Sequence, residues 1–196
     1  MKKTKALSLA MATCCVIAAP AQAGWKLVPG GRPWPVGAAQ VTPMSDWNQA
    51  SAKPGKQGVA WTHDGFELNG LEIFVAVPSG QPLYRERSKK RNPMPKYQSS
   101  LLLPELSDFF ERSFRTQYDV SDFTVKEASS GSLGGNPAVV LRYQYSVPGD
   151  ELKREGVARL TAVNGKLYAV NFFAPTLHYF ETGRTEAEAI MDSARF

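Results

Sequence analysis

The sequence predicts an α+β fold built on a central antiparallel sheet, and three observations support this. Three β-prone runs joined by two short turns occupy residues 137–175. The last run, residues 166–174, is apolar on both faces, which is typical of a central strand covered on each side. Two segments with helical periodicity, 105–117 and 185–194, supply a helix for each face. A helix on one face and a long loop on the other is the alternative.

The three-strand C-terminal meander has the clearest pattern. Apolar and polar residues alternate along its first run, as expected of a half-buried strand whose successive side chains point to opposite faces. The apolar set is Val139, Leu141, Tyr143, Tyr145 and Val147. Residues 148–150 (Pro-Gly-Asp) form the first turn. Asn164 and Gly165 both tolerate positive φ, which favours a type I′ hairpin turn.

The helix predicted at 105–117 begins after Pro104, a position where the missing backbone N–H costs nothing. Its inner face is predicted to be Leu106, Phe109, Phe110, Ser113, Phe114 and Gln117. In the second helix, Thr185 is the predicted N-cap. The inner face of that helix is predicted to be Ala187, Ile190, Met191 and Ala194.

The first half of the chain shows weaker patterns. Residues 24–37 are rich in Gly and Pro and form an irregular lead-in to a single domain over 38–196. Runs at 59–62 and 71–77 predict a hairpin or meander around a His-Asp-Gly turn. In the second run, one face is expected to carry Leu71, Ile73, Val75 and Val77. A strand at 122–127 leads into SSGSLGGN, which is predicted to be a flexible connector.

The N-terminus has the features of a secretory signal peptide. Three lysines precede an apolar run over residues 6–19, and Ala21-Gln22-Ala23 fits the small-x-small cleavage rule. Cleavage after Ala23 would direct the chain to the periplasm or the exterior, with no transmembrane segment in the mature chain. Lipid attachment at Cys14 or Cys15 is a less favoured alternative. Loss of residues 1–23 removes both cysteines and lowers the formal charge from +5 to +2. This balance gives no reason to expect nucleic-acid binding.

Candidate catalytic and metal-ligating residues are few. His63 and Asp64 are adjacent, and His178 and Glu181 have the spacing of one helical turn. A metal centre needs three or four converging donors, so two histidines in the chain favour no metal site and no cofactor. Ser132 could complete a Ser-His-Asp set, but it lies in a Gly/Ser segment that offers a nucleophile no rigid support.

The segment 78–100 is the longest stretch without helix or strand periodicity, and loops of this length are usually functional or mobile. It contains RERSKKR, a dense positive run that could contact anionic lipid headgroups, an acidic polymer or an acidic partner. The candidate binding residues are Arg85, Arg87, Lys89, Lys90 and Arg91, with Tyr97 nearby. A solvated charged loop is the alternative interpretation.

Two stretches resemble the PsbP-like domains, a family of exported domains that includes DcrB-like envelope proteins and shares the Mog/PsbP fold. The first is WTHDGFELNGLEIFVAV, at residues 61–77. The second is the C-terminal pattern Gly165, Tyr168, Ala174, Phe180, Ile190, Ser193 and Phe196. Two residues separate Ser193 from Phe196, which departs from the family's ending. The resemblance implies an α/β/α sandwich with helices on both faces of the sheet, and no shared active site.

These observations favour an exported, non-catalytic domain that binds a protein or cell-envelope component as an assembly or accessory factor. Peripheral contact with anionic surfaces fits the basic run. Two alternatives stay open. One is a small envelope hydrolase or metal-binding protein that uses the His and carboxylate residues above. The other is a carrier of a small apolar or sugar ligand in an aromatic-lined cleft between sheet and loop.

Overall fold

The computed structural model describes residues 24–86, 88 and 92–196, so the predicted signal peptide lies outside the described residues. The elements are β1 (Lys26–Val28), β2 (Trp34–Val36), β3 (Ala39–Val41), β4 (Trp47–Gln49), β5 (Gly58–Thr62), β6 (Gly70–Pro78), α1 (Glu105–Tyr118), β7 (Asp122–Leu133), β8 (Asn136–Ser146), β9 (Arg154–Val163), β10 (Lys166–Pro175) and α2 (Tyr179–Ser193). Eight antiparallel strands form one sheet in the order β1-β4-β5-β6-β10-β9-β8-β7, and β2 pairs with β3.

The C-terminal meander forms as predicted. β8, β9 and β10 pair in sequence, and the β9–β10 turn places Asn164 at φ 50° and Gly165 at φ 74°. Both angles are positive, as a type I′ turn requires. β10 lies between β6 and β9, and its side chains contact apolar residues on both faces of the sheet. The central position and the two-sided cover of this strand are therefore confirmed.

One layer of the core contains α1. The six predicted inner-face residues of this helix, from Leu106 to Gln117, are all buried. Phe114 packs edge-on against Tyr143, Tyr145 and Phe173 of the sheet, with centroid distances of 5.3, 5.0 and 5.8 Å. Edge-to-face contacts of this kind add to the free energy gained by burial. The aromatic stripe predicted from the sequence thus anchors α1 to the meander.

The other layer contains α2 and the β2–β3 hairpin. Ala187, Ile190, Met191 and Ala194 are buried against this face, as predicted. The helix begins at Tyr179, six residues before the predicted start, so Thr185 lies inside it and is not its N-cap. His178 is the last residue of the turn between β10 and the helix, and its φ is 68°. Helices therefore cover both faces of the sheet, and the α+β class with an α/β/α arrangement is confirmed.

Two segments expected to be irregular contain strands. β1 and β2 fall within residues 24–37, and Val28 and Val36 are buried in the α2 layer. The Ser/Gly connector is the second half of β7, which runs on to Leu133 and turns through Gly134 and Gly135. Both predictions relied on composition and were wrong. Gly, Ser and Pro have little intrinsic preference for strands, but pairing with a neighbouring strand overrides that preference.

A β-bulge changes the predicted face assignment of β6. Ala76 has φ 56°, and the register with β10 shifts between Leu167 and Ala169. Leu71, Ile73 and Val75 pack in the α2 layer, but Val77 packs in the α1 layer. The extra residue reverses the alternation beyond it. The prediction that Val77 shares the face of the other three was therefore wrong.

A buried carboxylate lies at the centre of the α1 layer. Glu72 of β6 is 1% exposed. It accepts hydrogen bonds from Tyr84 Oη (2.7 Å), Tyr118 Oη (2.6 Å) and Asn171 Nδ2 (3.0 Å). Tyr143 Oη donates to Asn171 Oδ1 at 2.7 Å. The network joins β6, the segment after it, α1, β10 and β8, and it satisfies polar groups that would be costly to bury alone.

Burial raises the pKa of Glu72 above its usual value of 4.5, and the three hydrogen bonds oppose that rise. The folded protein therefore holds this proton more tightly than the unfolded chain. In consequence, the group lowers the free energy of unfolding as the pH rises from 4.5 through the raised pKa. Below 4.5, where the carboxyl is protonated in both states, this effect is absent.

We predict that Glu72→Gln gains stability relative to the wild type as the pH rises above 4.5. The gain should be about 1.4 kcal/mol for each unit by which the fold raises the pKa. Urea unfolding across the pH range measures it, with exposed Glu151→Gln as the matched control. A wild-type-minus-variant difference that does not change with pH would contradict the prediction.

Candidate functional site: a basic pocket beside the long loop

The described part of the 78–100 loop is folded onto the protein. Leu83, Tyr84, Met94 and Tyr97 are buried in the α1 layer. Gly80 N–H donates to the Tyr97 carbonyl at 2.7 Å, and Tyr97 N–H donates to the Gln81 carbonyl at 2.9 Å. The two ends of the loop are therefore joined to each other by backbone hydrogen bonds and held to the core by side chains.

A second loop, between β4 and β5, packs beside the first. Arg85 N–H donates to the Pro54 carbonyl at 2.7 Å. A Cβ placed on Gly55 would lie 2.0 Å from the Leu83 carbonyl oxygen, so only glycine allows the two backbones to come this close. The two loops together form the walls of a surface pocket.

This basic pocket has a volume of about 430 Å³. Its lining residues are Lys53, Gly55, Lys56, Gly80, Gln81, Pro82, Tyr84, Arg85, Glu86 and Lys96. Four of these side chains are cationic, and one is acidic. None of the four cations forms an ion pair with any part of the chain that the structure describes. Unpaired cations around one concavity create a local positive potential that attracts anions.

The candidate residues of the basic run have different positions. Arg85 lines the pocket. Arg87, Lys89, Lys90 and Arg91 lie outside the described residues.

Tyr97, predicted to lie near a binding surface, is fully buried, and its ring contacts Phe109 at a centroid distance of 6.1 Å. It is a core residue that holds the loop down. Burial raises the pKa of its hydroxyl above 10.0.

Lys53, Lys56 and Lys96 belong to the same site but were not among the residues predicted from the sequence. Lys53 and Lys56 lie in SAKPGKQG, a stretch whose polar, Gly- and Pro-containing composition is typical of a linker. Their separation from Lys96 by about forty positions hides the relationship, because only the packing of one loop against the other brings them together. The sequence signal that was present is the Pro-Gly pair between two lysines, which is typical of a tight turn that projects both side chains.

A second polar cluster surrounds Glu186 of α2. Its carboxylate accepts hydrogen bonds from Ser45 N–H (2.9 Å), Ser45 Oγ (2.8 Å) and Trp47 Nε1 (2.9 Å), and it contacts His63 Nε2 at 3.3 Å. The His63 ring lies over Trp47 with a centroid distance of 3.8 Å. The cluster joins α2 to β4 and to the turn after β5.

Ser45, His63 and Glu186 do not have the geometry of a nucleophilic triad. Ser45 Oγ lies 3.4 Å from His63 Nε2, the same nitrogen that contacts Glu186. In a triad, the nucleophile and the acid contact opposite nitrogens of the imidazole. One nitrogen accepts the proton of the nucleophile, while the N–H of the other donates to the acid. The arrangement here instead anchors one carboxylate, and its effect is structural.

The other hydrolase or metal candidates are dispersed. Glu181 pairs with Arg142 (2.9 Å) and Arg184 (2.9 Å). His178 lies one residue before α2, and Glu186, which contacts His63, lies eight residues after His178. Eight residues of helix rise about 12 Å, which separates His178 from Glu186 along the helix axis.

Asp64 accepts a hydrogen bond from Asn69 at 2.7 Å, and Ser132 lies in β7. Within residues 24–86, 88 and 92–196, no three His, Cys, Asp or Glu side chains are grouped as metal ligands.

The ionisation of Glu186 should stabilise the fold. Burial alone raises the pKa of this carboxyl, but the hydrogen bonds from His63, Ser45 and Trp47 outweigh it and lower the pKa from 4.5 to about 2. The stabilisation is therefore complete above 4.5 and is lost as the pH falls through about 2.

We predict that Glu186→Gln destabilises the protein by about 1–3 kcal/mol near neutral pH, because charged acceptors make the stronger hydrogen bonds. The deficit should shrink as the pH is lowered towards 2. Chemical unfolding at several pH values measures it, with Glu151→Gln as the control. A deficit of constant size between acid and neutral pH would show that the charge is not responsible.

Neither described helix has the length and hydrophobicity to cross a membrane.

No family model matches the sequence, and no curated protein sequence matches it. Among solved structures, PsbP from the cyanobacterium Synechocystis sp. PCC 6803 matches with a TM-score of 0.53 and 13% identity, covering 94% of this chain and 98% of that chain.

Two further structures match with lower TM-scores. A putative regulator of unknown function from Pseudomonas aeruginosa has a TM-score of 0.41 at 12% identity, covering 81% of this chain and 93% of that one. LpqN of Mycobacterium tuberculosis, described as involved in cell envelope biogenesis, has a TM-score of 0.36 at 13% identity, with coverage of 88% and 90%. At these identities the likeness concerns the fold, and the match to cyanobacterial PsbP confirms the PsbP-like fold predicted from the sequence.

Proposed function

We propose that this chain is an exported, non-catalytic domain that binds an anionic group of a cell-envelope component or partner protein in the basic pocket. The observation that carries this proposal is the convergence, on one concavity between two interlocked loops, of four cations that form no ion pair within the described residues. The signal-peptide pattern at residues 1–23 supports a periplasmic or secreted location. The proposed role is that of an assembly or accessory factor.

The chemistry of the pocket suits carboxylate or phosphate oxygens. Lys53, Lys56 and Lys96 supply three ammonium groups, each with three rotatable donors, and Arg85 adds a planar guanidinium. All four side chains are exposed, so they are hydrated until a ligand displaces water. Binding of this kind is electrostatic in origin and weakens as salt screens the charges. Arg87, Lys89, Lys90 and Arg91, which follow Arg85 in the sequence, are also basic.

The two alternatives from the sequence receive less support. The hydrolase or metal-binding alternative requires residues that the structure leaves dispersed. The carrier alternative requires space between sheet and loop, and the described part of the loop fills that region with Leu83, Tyr84, Met94 and Tyr97. The basic pocket instead opens at the surface, where a headgroup or an acidic side chain can enter without the core opening.

We predict that replacing Lys53, Lys56 and Lys96 together with Ser weakens binding to vesicles that contain phosphatidylglycerol. Each basic residue near an anionic surface contributes about 1 kcal/mol, so the three should account for about a 100-fold loss at low salt. Vesicle sedimentation at low and at physiological ionic strength measures the loss. Neutral phosphatidylcholine vesicles should bind neither protein.

A matched triple variant separates the pocket from net charge. Lys126, Lys153 and Lys166 are also exposed and form no ion pair within the described residues, but they do not line the pocket. Replacing these three with Ser changes the charge equally and should leave binding nearly intact. If both triple variants lose vesicle binding equally, net charge alone explains the loss. If neither variant loses binding, the basic pocket is rejected as the binding site.

A further inference from the structure

We propose that the outer edge of β7 binds an extended peptide segment of a partner protein by strand addition. β7 is the last strand of the sheet and pairs only with β8 among the strands that the described residues form. A free edge presents N–H and C=O groups in the spacing of a β ladder, and an extended backbone satisfies them. This surface shares no residue with the basic pocket and would serve a different contact.

The outward-facing backbone groups follow from the hairpin. The two-residue turn through Gly134 and Gly135 is closed by a hydrogen-bonded pair, Leu133 and Asn136. Bonded and non-bonded pairs alternate along an antiparallel ladder. Ser130 and Ala128 therefore direct their N–H and C=O groups away from β8. Beyond them, the Ser132 carbonyl accepts a hydrogen bond from Arg159 at 3.3 Å.

Protection against edge pairing is confined to the first half of β7. The register with β8 shifts between Val125 and Glu127, which places a bulge at Lys126. A bulge and a lysine each hinder the pairing of an exposed edge strand with another chain. The second half, from Ala128 to Gly131, has neither a charge nor a bulge. The unprotected stretch is the part of the strand beside which a groove opens.

The groove lies between this edge and the start of α1, and its volume is about 260 Å³. Its lining residues are Leu103, Pro104, Ser107, Ala128, Ser129, Ser130, Ala138 and Val139. On the other side of β7, a polar depression of about 170 Å³ is bordered by Glu127, Ser129, Arg142, Arg184 and Glu188, with Val140 and Val157. An added strand points alternate residues to the two sides. The two surfaces therefore select a peptide that alternates apolar and polar residues.

A second copy of this chain fits the edge less well than such a peptide. Antiparallel pairing of 128–131 with itself would place only Ala, Ser and Gly beside the groove. These side chains are too small to fill 260 Å³ or to gain much from burial there. A partner segment with larger apolar side chains at alternate positions fills the groove and gains both burial and backbone hydrogen bonds.

The test begins with a phage-displayed library of random peptides selected on the purified protein, followed by titration of a selected synthetic peptide. Selected peptides should alternate apolar and polar residues. Ser130→Pro removes one outward N–H without removing a bond to β8, and it should weaken binding by at least about ten-fold. Ser130→Ala keeps the N–H and should bind like the wild type. Ser107→Phe fills the groove and should weaken binding by a similar factor.

Amide hydrogen exchange on the wild type decides the result even if a variant fails to fold. The peptide should protect the amides of Ala128 and Ser130 from exchange. The proposal is overturned if no alternating peptide is selected, or if Ser130→Pro folds and binds as tightly as Ser130→Ala. It is also overturned if those amides are protected without peptide in a way that depends on protein concentration, since a second copy would then cover the edge.

Discussion

The hydrogen-bonded carboxylate of Glu72 is the interaction on which the arrangement of this domain depends. It lies on the α1 side of β6 and receives hydrogen bonds from the loop through Tyr84, from α1 through Tyr118 and from β10 through Asn171. A buried carboxylate without these donors would be strongly destabilising, so its partners are constrained to stay in place. The cost of leaving Glu72 unsatisfied opposes any movement that lifts the loop from the sheet.

This constraint links the core to the proposed binding surface. Tyr84 belongs both to the Glu72 network and to the wall of the basic pocket. Arg85, the next residue, is held by a backbone hydrogen bond to Pro54. The backbone segments that carry the cations of the two loops are thereby held next to each other. A preorganised charge cluster binds better than a flexible one because less conformational freedom is lost on binding.

The sequence predicts the layers of this fold better than its edges and sites. The inner faces of both helices were identified because periodicity directly reports which side chains are buried. Val77 was assigned to the wrong face because nothing in the local pattern marks the bulge at Ala76. The second half of β7 was missed because Ser and Gly have little strand preference, and pairing with β8 alone makes it a strand. The basic pocket was only partly predicted, through Arg85, since its lysines meet by tertiary packing.

The proposed binding pocket requires the described part of the 78–100 loop to be folded against the domain. Hydrogen exchange at the Arg85 and Tyr97 amides tests this most directly, because these groups donate to Pro54 and Gln81 across the two loop contacts. We expect both amides to exchange far more slowly than in an unstructured chain, and we expect Tyr84→Phe, which removes one donor to Glu72, to speed this exchange. Exchange of both amides at unstructured rates in the wild type would contradict it, since the loop would then not hold the pocket together.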